Sequence, residues 1–238
     1  MPKLVYFDHP FFINATFVIR MTFRNAFIIL LIAAHSAVYA QRNYYEPVPK
    51  VFEGGLVLGC NFTQIDGDSF YGYHKVGLSA GCMVYVHFSP VFGASMELAY
   101  SQKGSRGEQV TESPSIGTYV AKYFMNVNYI EVPVVLHAIV HKLDFEAGAS
   151  YGRLISSNEW ILSDQQVTID PVTNKFNTSD VEYIFGLGRK VYKQFSVNAR
   201  FQYSVTSIRS ADRIPVGYGY GSQGQYNNMF TVRVLYLF

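Results

Sequence analysis

The sequence predicts an all-β fold: an eight-stranded antiparallel transmembrane up-and-down β-barrel, preceded by a signal peptide. Three observations predict it. The last residues alternate with a period of two: Phe230, Val232, Val234, Tyr236 and Phe238 on one face, Met229, Thr231, Arg233, Leu235 and Leu237 on the other. That period belongs to a strand whose two faces meet different surroundings. The composition is 49% hydrophobic and only 15% charged, against about 25% charged in a soluble domain. No stretch beyond the N-terminal region approaches the ~20 apolar residues of a membrane helix, so the apolar surface is delivered by alternation, as in a barrel. Finally, the connections between the strands alternate long, short, long, short, long, short, long. Barrels of the bacterial outer membrane sort their connections this way, with both termini on the periplasmic side.

In chain order, residues 1–20 carry Asp8, His9 and Pro10 among scattered aromatics and read as a mis-assigned extension, with Met21 as the true start. Residues 21–40 read as a signal peptide: Arg24 supplies a positive charge, residues 26–34 an apolar core, and Val38-Tyr39-Ala40 a cleavage site, with the cut expected after Ala40. Residues 41–53, with Pro47 and Pro49, form a short periplasmic leader. Residues 54–238 form the barrel. Leu56-Val57-Leu58-Gly59-Cys60 has a superficial likeness to a lipoprotein box but lacks an apolar run directly before it, and is read as strand.

The first strand, residues 54–62, sets Leu56, Leu58, Cys60 and Phe62 against Val57, Gly59 and Asn61. A Gly-rich polar loop follows. Residues 76–88 place Val76, Leu78, Ala80, Cys82, Val84, Val86 and Phe88 opposite Gly77, Ser79, Gly81, Met83, Tyr85 and His87. A tight turn at Ser89-Pro90-Val91 leads to residues 92–102, where Phe92, Ala94, Met96, Leu98 and Tyr100 face out and Gly93, Ser95, Glu97, Ala99 and Ser101 face in. A long polar loop spans 103–120. In the fourth strand, 121–140, Pro133 marks a bulge or local irregularity, because it cannot donate a ladder bond. His141-Lys142 turns into the fifth strand, 143–153. A long loop (154–179), strand 181–188, a turn, strand 195–205 and the loop 207–226 precede the closing strand.

The segments Glu97-Leu98-Ala99-Tyr100-Ser101-Gln102-Lys103-Gly104 and Asn128-Tyr129-Ile130-Glu131-Val132-Pro133 resemble the PorT-type outer-membrane β-barrel domain of Bacteroidota, which reads E-x-x-Y-x-Q-K-G, a long loop, then N-Y-I-E-I-P. Residues 59–68 and 224–228 are similar to it as well. The resemblance spans roughly residues 54–238. It implies an eight-stranded outer-membrane barrel and says little about activity. The family's namesake assists type IX secretion, and a secretion-accessory or envelope role here would be an analogy of fold.

The inward faces carry Glu97, Glu131, Glu146, Glu182, Arg200 and Arg233, with His87 and His137. Buried charges need partners, so these are expected to form a polar network that plugs a lumen only wide enough for side chains. A small pore is the alternative. A membrane-embedded lipid hydrolase is a second one; it would need nucleophile, base and acid in hydrogen-bond reach, and no nucleophile elbow is present. No catalytic residue, cofactor or metal site is expected. Phe230, Val232, Val234, Tyr236 and Phe238 are read as the signal to the barrel insertion machinery. The expected partners are outer-membrane lipid, that machinery and an envelope protein engaged through aromatic loops (Phe70, Tyr71, Tyr73, Trp160, Tyr218, Tyr220 and Tyr226). Those aromatics suit a membrane-interface belt equally well. The formal net charge of +2 gives no reason to expect nucleic acid. Cys60 and Cys82 both face lipid on neighbouring strands, and whether they bond depends on their spacing.

Overall fold

The computed structural model describes residues 51–113, 117–163, 169–220 and 223–238. The expectations for the extension, the signal peptide and nearly all of the leader fall outside these residues. Among the described residues eight strands close into one antiparallel ring in sequence order. They are β1 (Phe52–Asp66), β2 (Lys75–His87), β3 (Phe92–Ser113), β4 (Gly117–Val140), β5 (Leu143–Leu162), β6 (Ser179–Tyr192), β7 (Phe195–Ser204) and β8 (Tyr226–Leu237). β1 begins two residues before the boundary expected at Gly54. β8 closes the ring against β1 from Gly55↔Leu237 to Asp66↔Tyr226, so every strand has two neighbours and the barrel has no free edge.

The alternation sorts as the residue types dictate. Leu56, Leu58, Met96, Leu98, Val134, Leu136, Phe185, Phe230, Val232 and Val234 are exposed on the outside, while Val57, Asn61, Met83, Glu97, Val135, Thr231 and Arg233 are buried within. One-residue slips would invert both sets. An apolar outer band of this extent is far larger than a soluble surface carries, and lipid is the solvent that suits it.

The short connections are tight. His141 and Lys142 both take positive φ (49° and 70°) between the paired residues Val140 and Leu143. A two-residue hairpin turn requires this backbone, because its twist matches that of the flanking strands. At the β2–β3 turn the Ser89 hydroxyl accepts the backbone N–H groups of Val91 and Phe92 at 3.2 and 2.9 Å.

The main departure from expectation lies in the long connections. β3 and β4 stay paired up to Ser113↔Gly117. Residues 103–120, expected as a loop, therefore form a hairpin that rises beyond the rest of the wall, and β5 follows β4 as far as Leu162. The polar composition that suggested a loop reflects strands that have left the apolar band. Pro133 interrupts the ladder on the β3 side, where no pairing is made between Met96↔Val134 and Ala99↔Glu131, yet register is kept. The register shift in β4 occurs elsewhere, between Asn128 and Tyr129.

Cys60 pairs with Leu78, and Cys82 pairs with Leu56. The two cysteines are four positions apart along β2, roughly 13 Å at the strand rise. That exceeds disulfide reach, and both are free thiols.

Candidate functional site

Inside the ring three zones follow one another from the short-turn end to the long-loop end. The middle zone is charged. Arg233 and Arg200 share Glu97: Arg233 Nη1 lies 2.7 Å from Glu97 Oε2 and Arg200 Nη2 lies 2.8 Å from Oε1. Arg200 Nε also pairs with Glu146. Asn198 ties the pairs together, donating to Glu146 at 2.7 Å and accepting from Arg233 Nε at 3.0 Å. Two guanidinium groups meet two carboxylates, and all four side chains are nearly sealed from solvent. Their room comes from glycine. A Cβ on Gly186 would sit 2.7 Å from Glu146 Oε2, and one on Gly59 would sit 2.6 Å from Arg233 Cγ.

Towards the long loops, Lys103 Nζ lies 2.5 Å from both Glu131 and Glu182 and 4.0 Å from Asp180. One ammonium thus faces three carboxylates. Neutral donors take up part of the remainder: Gln202 donates to Glu182 at 3.2 Å, and Ser204 and Asn227 both donate to Asp180 Oδ2 at 2.8 and 2.7 Å. Lys103 also sits over the Tyr129 ring, 5.0 Å from its centroid.

All six charged residues singled out from the sequence are therefore buried on the inner face, divided between these two clusters. Lys103 and Asp180 complete the second cluster and were missed. Both had been placed outside the strands, because their surroundings are polar and strand ends are the weakest part of a sequence reading. The Lys103–Val127 pairing puts Lys103 inside the ring.

Beyond the second cluster the loop end is filled with rings and aliphatic chains. Ile65, Phe70, Tyr123, Met125, Val127, Tyr129, Phe176, Ile208 and Tyr218 form one buried cluster. Phe70 stacks on Tyr123 at 5.1 Å and Tyr123 on Tyr218 at 5.2 Å. Arg209 anchors this plug. Its guanidinium donates twice to Glu159, at 2.7 and 2.9 Å, and its plane lies 4.2 Å from the Phe176 centroid. Tyr123 donates its hydroxyl to the same Glu159. The loop aromatics thus divide. Phe70 and Tyr218 are core, serving neither a belt nor a binding face, whereas Tyr71 and Tyr220 stay exposed and meet edge-on at 6.1 Å. Trp160 stacks flat on Phe124, 5.2 Å away. In the β1–β2 loop, burial pushes the Asp68 carboxyl up to about 7, with the Phe70 N–H and Ser105 pulling the other way.

The short-turn end is different. A cavity of about 450 Å³ opens there, with apolar walls that include Met83, Tyr85, Val197, Leu235 and Leu237. Polar groups converge on it from Glu53, His87, His137, Asp144 and Glu146. His87 pairs with Glu53 at 3.1 Å. His137 lies between Ser95 Oγ, 2.8 Å from Nε2, and Asp144 Oδ2, 2.9 Å from Nδ1. Serine, histidine and aspartate in this order are the parts of a hydrolytic triad. Ser95, however, is only 2% exposed and is not among the residues lining the cavity.

A family model described as an outer membrane protein beta-barrel domain matches residues 39–210. No curated protein matches the chain in sequence. Among solved structures, Ail, the attachment invasion locus protein of Yersinia pestis, is 13% identical over 79% of this chain and 99% of its own, with a TM-score of 0.42. Neisserial surface protein A is 9% identical over 79% and 98%, at 0.44. CarO of Acinetobacter baumannii is 10% identical over 82% and 100%, at 0.37. The family match covers well over half of the sequence and agrees with the closed ring, the apolar outer band and the sorted connections: the chain belongs to the outer membrane protein beta-barrel domain family, and its place is the outer membrane.

Proposed function

We propose that this protein is a plugged, non-catalytic barrel that serves the envelope through what its outer loops and raised hairpin bind. The observation that carries the reading is the continuous filling of the lumen. Two ion-paired clusters lie under an aromatic plug. A ring of eight strands favours this, since its interior is only wide enough for side chains. Planar bilayer recording with purified protein tests it. The expected result is an absence of stable, reproducible conductance steps; their presence would establish the small pore instead.

The β3–β4 hairpin, together with exposed Tyr71 and Tyr220, supports an envelope protein as partner, since tyrosine gives large contact area at little entropic cost. The PorT-type motifs between Glu97 and Pro133 favour a secretion-accessory role. Affinity purification of a tagged copy from native outer membranes should recover a stoichiometric partner, and a barrel recovered alone would sink this part. The closing-strand face Phe230 to Phe238 serves as the insertion signal in this reading, after removal of a signal peptide at Ala40. The sealed position of Ser95 supports the absence of hydrolase activity. A fluorophosphonate probe is expected to leave Ser95 unlabelled, and labelling there would reverse that conclusion.

A further inference from the structure

In the short-turn cavity, polar side chains meet an accessible space. We infer that it holds a divalent transition-metal site of the zinc class, formed by His137, Asp144 and Glu146. One donor atom from each of these residues lies within 4.8 Å of the others. All three side chains line the cavity, and His137 and Glu146 are buried. Imidazole nitrogen with two carboxylate oxygens is a zinc donor set, and tetrahedral coordination at 2.0–2.2 Å places donors roughly 3.4 Å apart. The His137–Asp144 contact at 2.9 Å has to open by about half an ångström, and Glu146, within 4.8 Å of the other donors, has to close by up to about 1.4 Å. These are rotamer adjustments of side chains on paired strands. Three protein donors leave a fourth position facing the cavity, for water or a small anionic ligand.

The surroundings suit this assignment. Ser95 Oγ, 2.8 Å from His137 Nε2, accepts the Nε2–H when Nδ1 binds the metal, the outer hydrogen bond that metal-ligating histidines normally make. The Ser95 hydroxyl can instead donate when Nδ1 carries the proton and bonds Asp144, so the site is satisfied in both states. Tyr85 packs its ring 4.6 Å from that of His137 and fixes the imidazole plane. Glu146 already serves Asn198 and Arg200, so it coordinates through one oxygen while Arg200 keeps Glu97 as its second partner. The basic residues Lys142, Arg189 and Lys190 also border the cavity. They are solvent-exposed, and water and salt screen them from the metal.

The test uses untagged, folded full-length barrel in detergent, stripped with chelator and titrated with Zn²⁺ by calorimetry. One saturable equivalent is expected. Affinity should fall by about 100-fold or more in His137→Gln and in Asp144→Asn, by about 10-fold in Ser95→Ala, and stay unchanged in His74→Gln on the outer loop. Should the ligand variants fail to fold, paramagnetic Co²⁺ added to the unsubstituted protein locates the site by NMR: broadening should centre on His137, Ser95 and Tyr85. No saturable binding, binding that survives both ligand substitutions, or broadening centred on His74 or His87 would each overturn the assignment.

Discussion

The two charged clusters of the lumen solve the same problem with different arithmetic. In the middle, two guanidinium groups and two carboxylates balance, and the guanidinium groups with the Asn198 amide reach both oxygens of Glu97 and Glu146. Nearer the loops, one ammonium faces three carboxylates, and the excess is spread over neutral amides and a hydroxyl. The comparison teaches that pairing count alone does not measure how firmly a buried acid is needed. An acid is indispensable where its loss strands cations, and dispensable where acids are in surplus.

The largest expected effect breaks the balanced cluster. Glu97→Gln leaves two buried guanidinium groups with one carboxylate, and should cost about 3–5 kcal/mol, read as a lowered urea midpoint for the barrel folded into lipid vesicles. A result within about 1 kcal/mol of the parent would mean that the cluster is not charge-balanced. Next comes Gly186→Ala. The added methyl meets Glu146 and Arg200 and should cost about 1–3 kcal/mol by overpacking, in the same assay. Glu182→Gln sharpens the contrast from the other side. It removes one of three acids around Lys103 while keeping shape, so stability should stay within about 1 kcal/mol of the parent. A loss equal to that of Glu97→Gln would erase the distinction between the clusters.

The smallest effect concerns an acid outside the membrane. Asp68 holds its proton up to about pH 7 because it is buried. A carboxyl whose folded value is raised adds stability below its ordinary value and loses it as pH rises towards and through 7. Asp68→Asn should therefore flatten a slight fall in melting temperature between pH 5 and pH 8. An unchanged difference between the two pH values would remove Asp68 as its source.

Period-two alternation made the ring, its strand number and its inner and outer faces legible, because lipid and lumen select such different residues. Strand length was not legible in β3, β4 and β5. Above the membrane both faces of a strand meet water, and alternation fades into what looks like a loop. Lys103 stands where that polar stretch begins, and its burial inside the ring follows only from its pairing with Val127. The group His137, Asp144 and Glu146 was invisible for a different reason. Its members flank a turn with no metal-site spacing, and only the pairing of His137 with Glu146 across β4 and β5 brings them together. Phe70 and Tyr218 were legible as loop aromatics but not as core, since nothing local says that two loops separated by the whole barrel will stack on Tyr123.

The middle cluster joins strands that are not neighbours. Glu97 on β3 reaches Arg200 on β7 and Arg233 on β8, whereas each backbone ladder joins only adjacent strands. Ladders can grow one hairpin at a time, but these spokes cannot form until the ring has closed. A half-assembled sheet would therefore hold its charges unpaired in an open trough and gain little by persisting. The spokes make closure all-or-none, and tie the fate of the third strand to the arrival of the last.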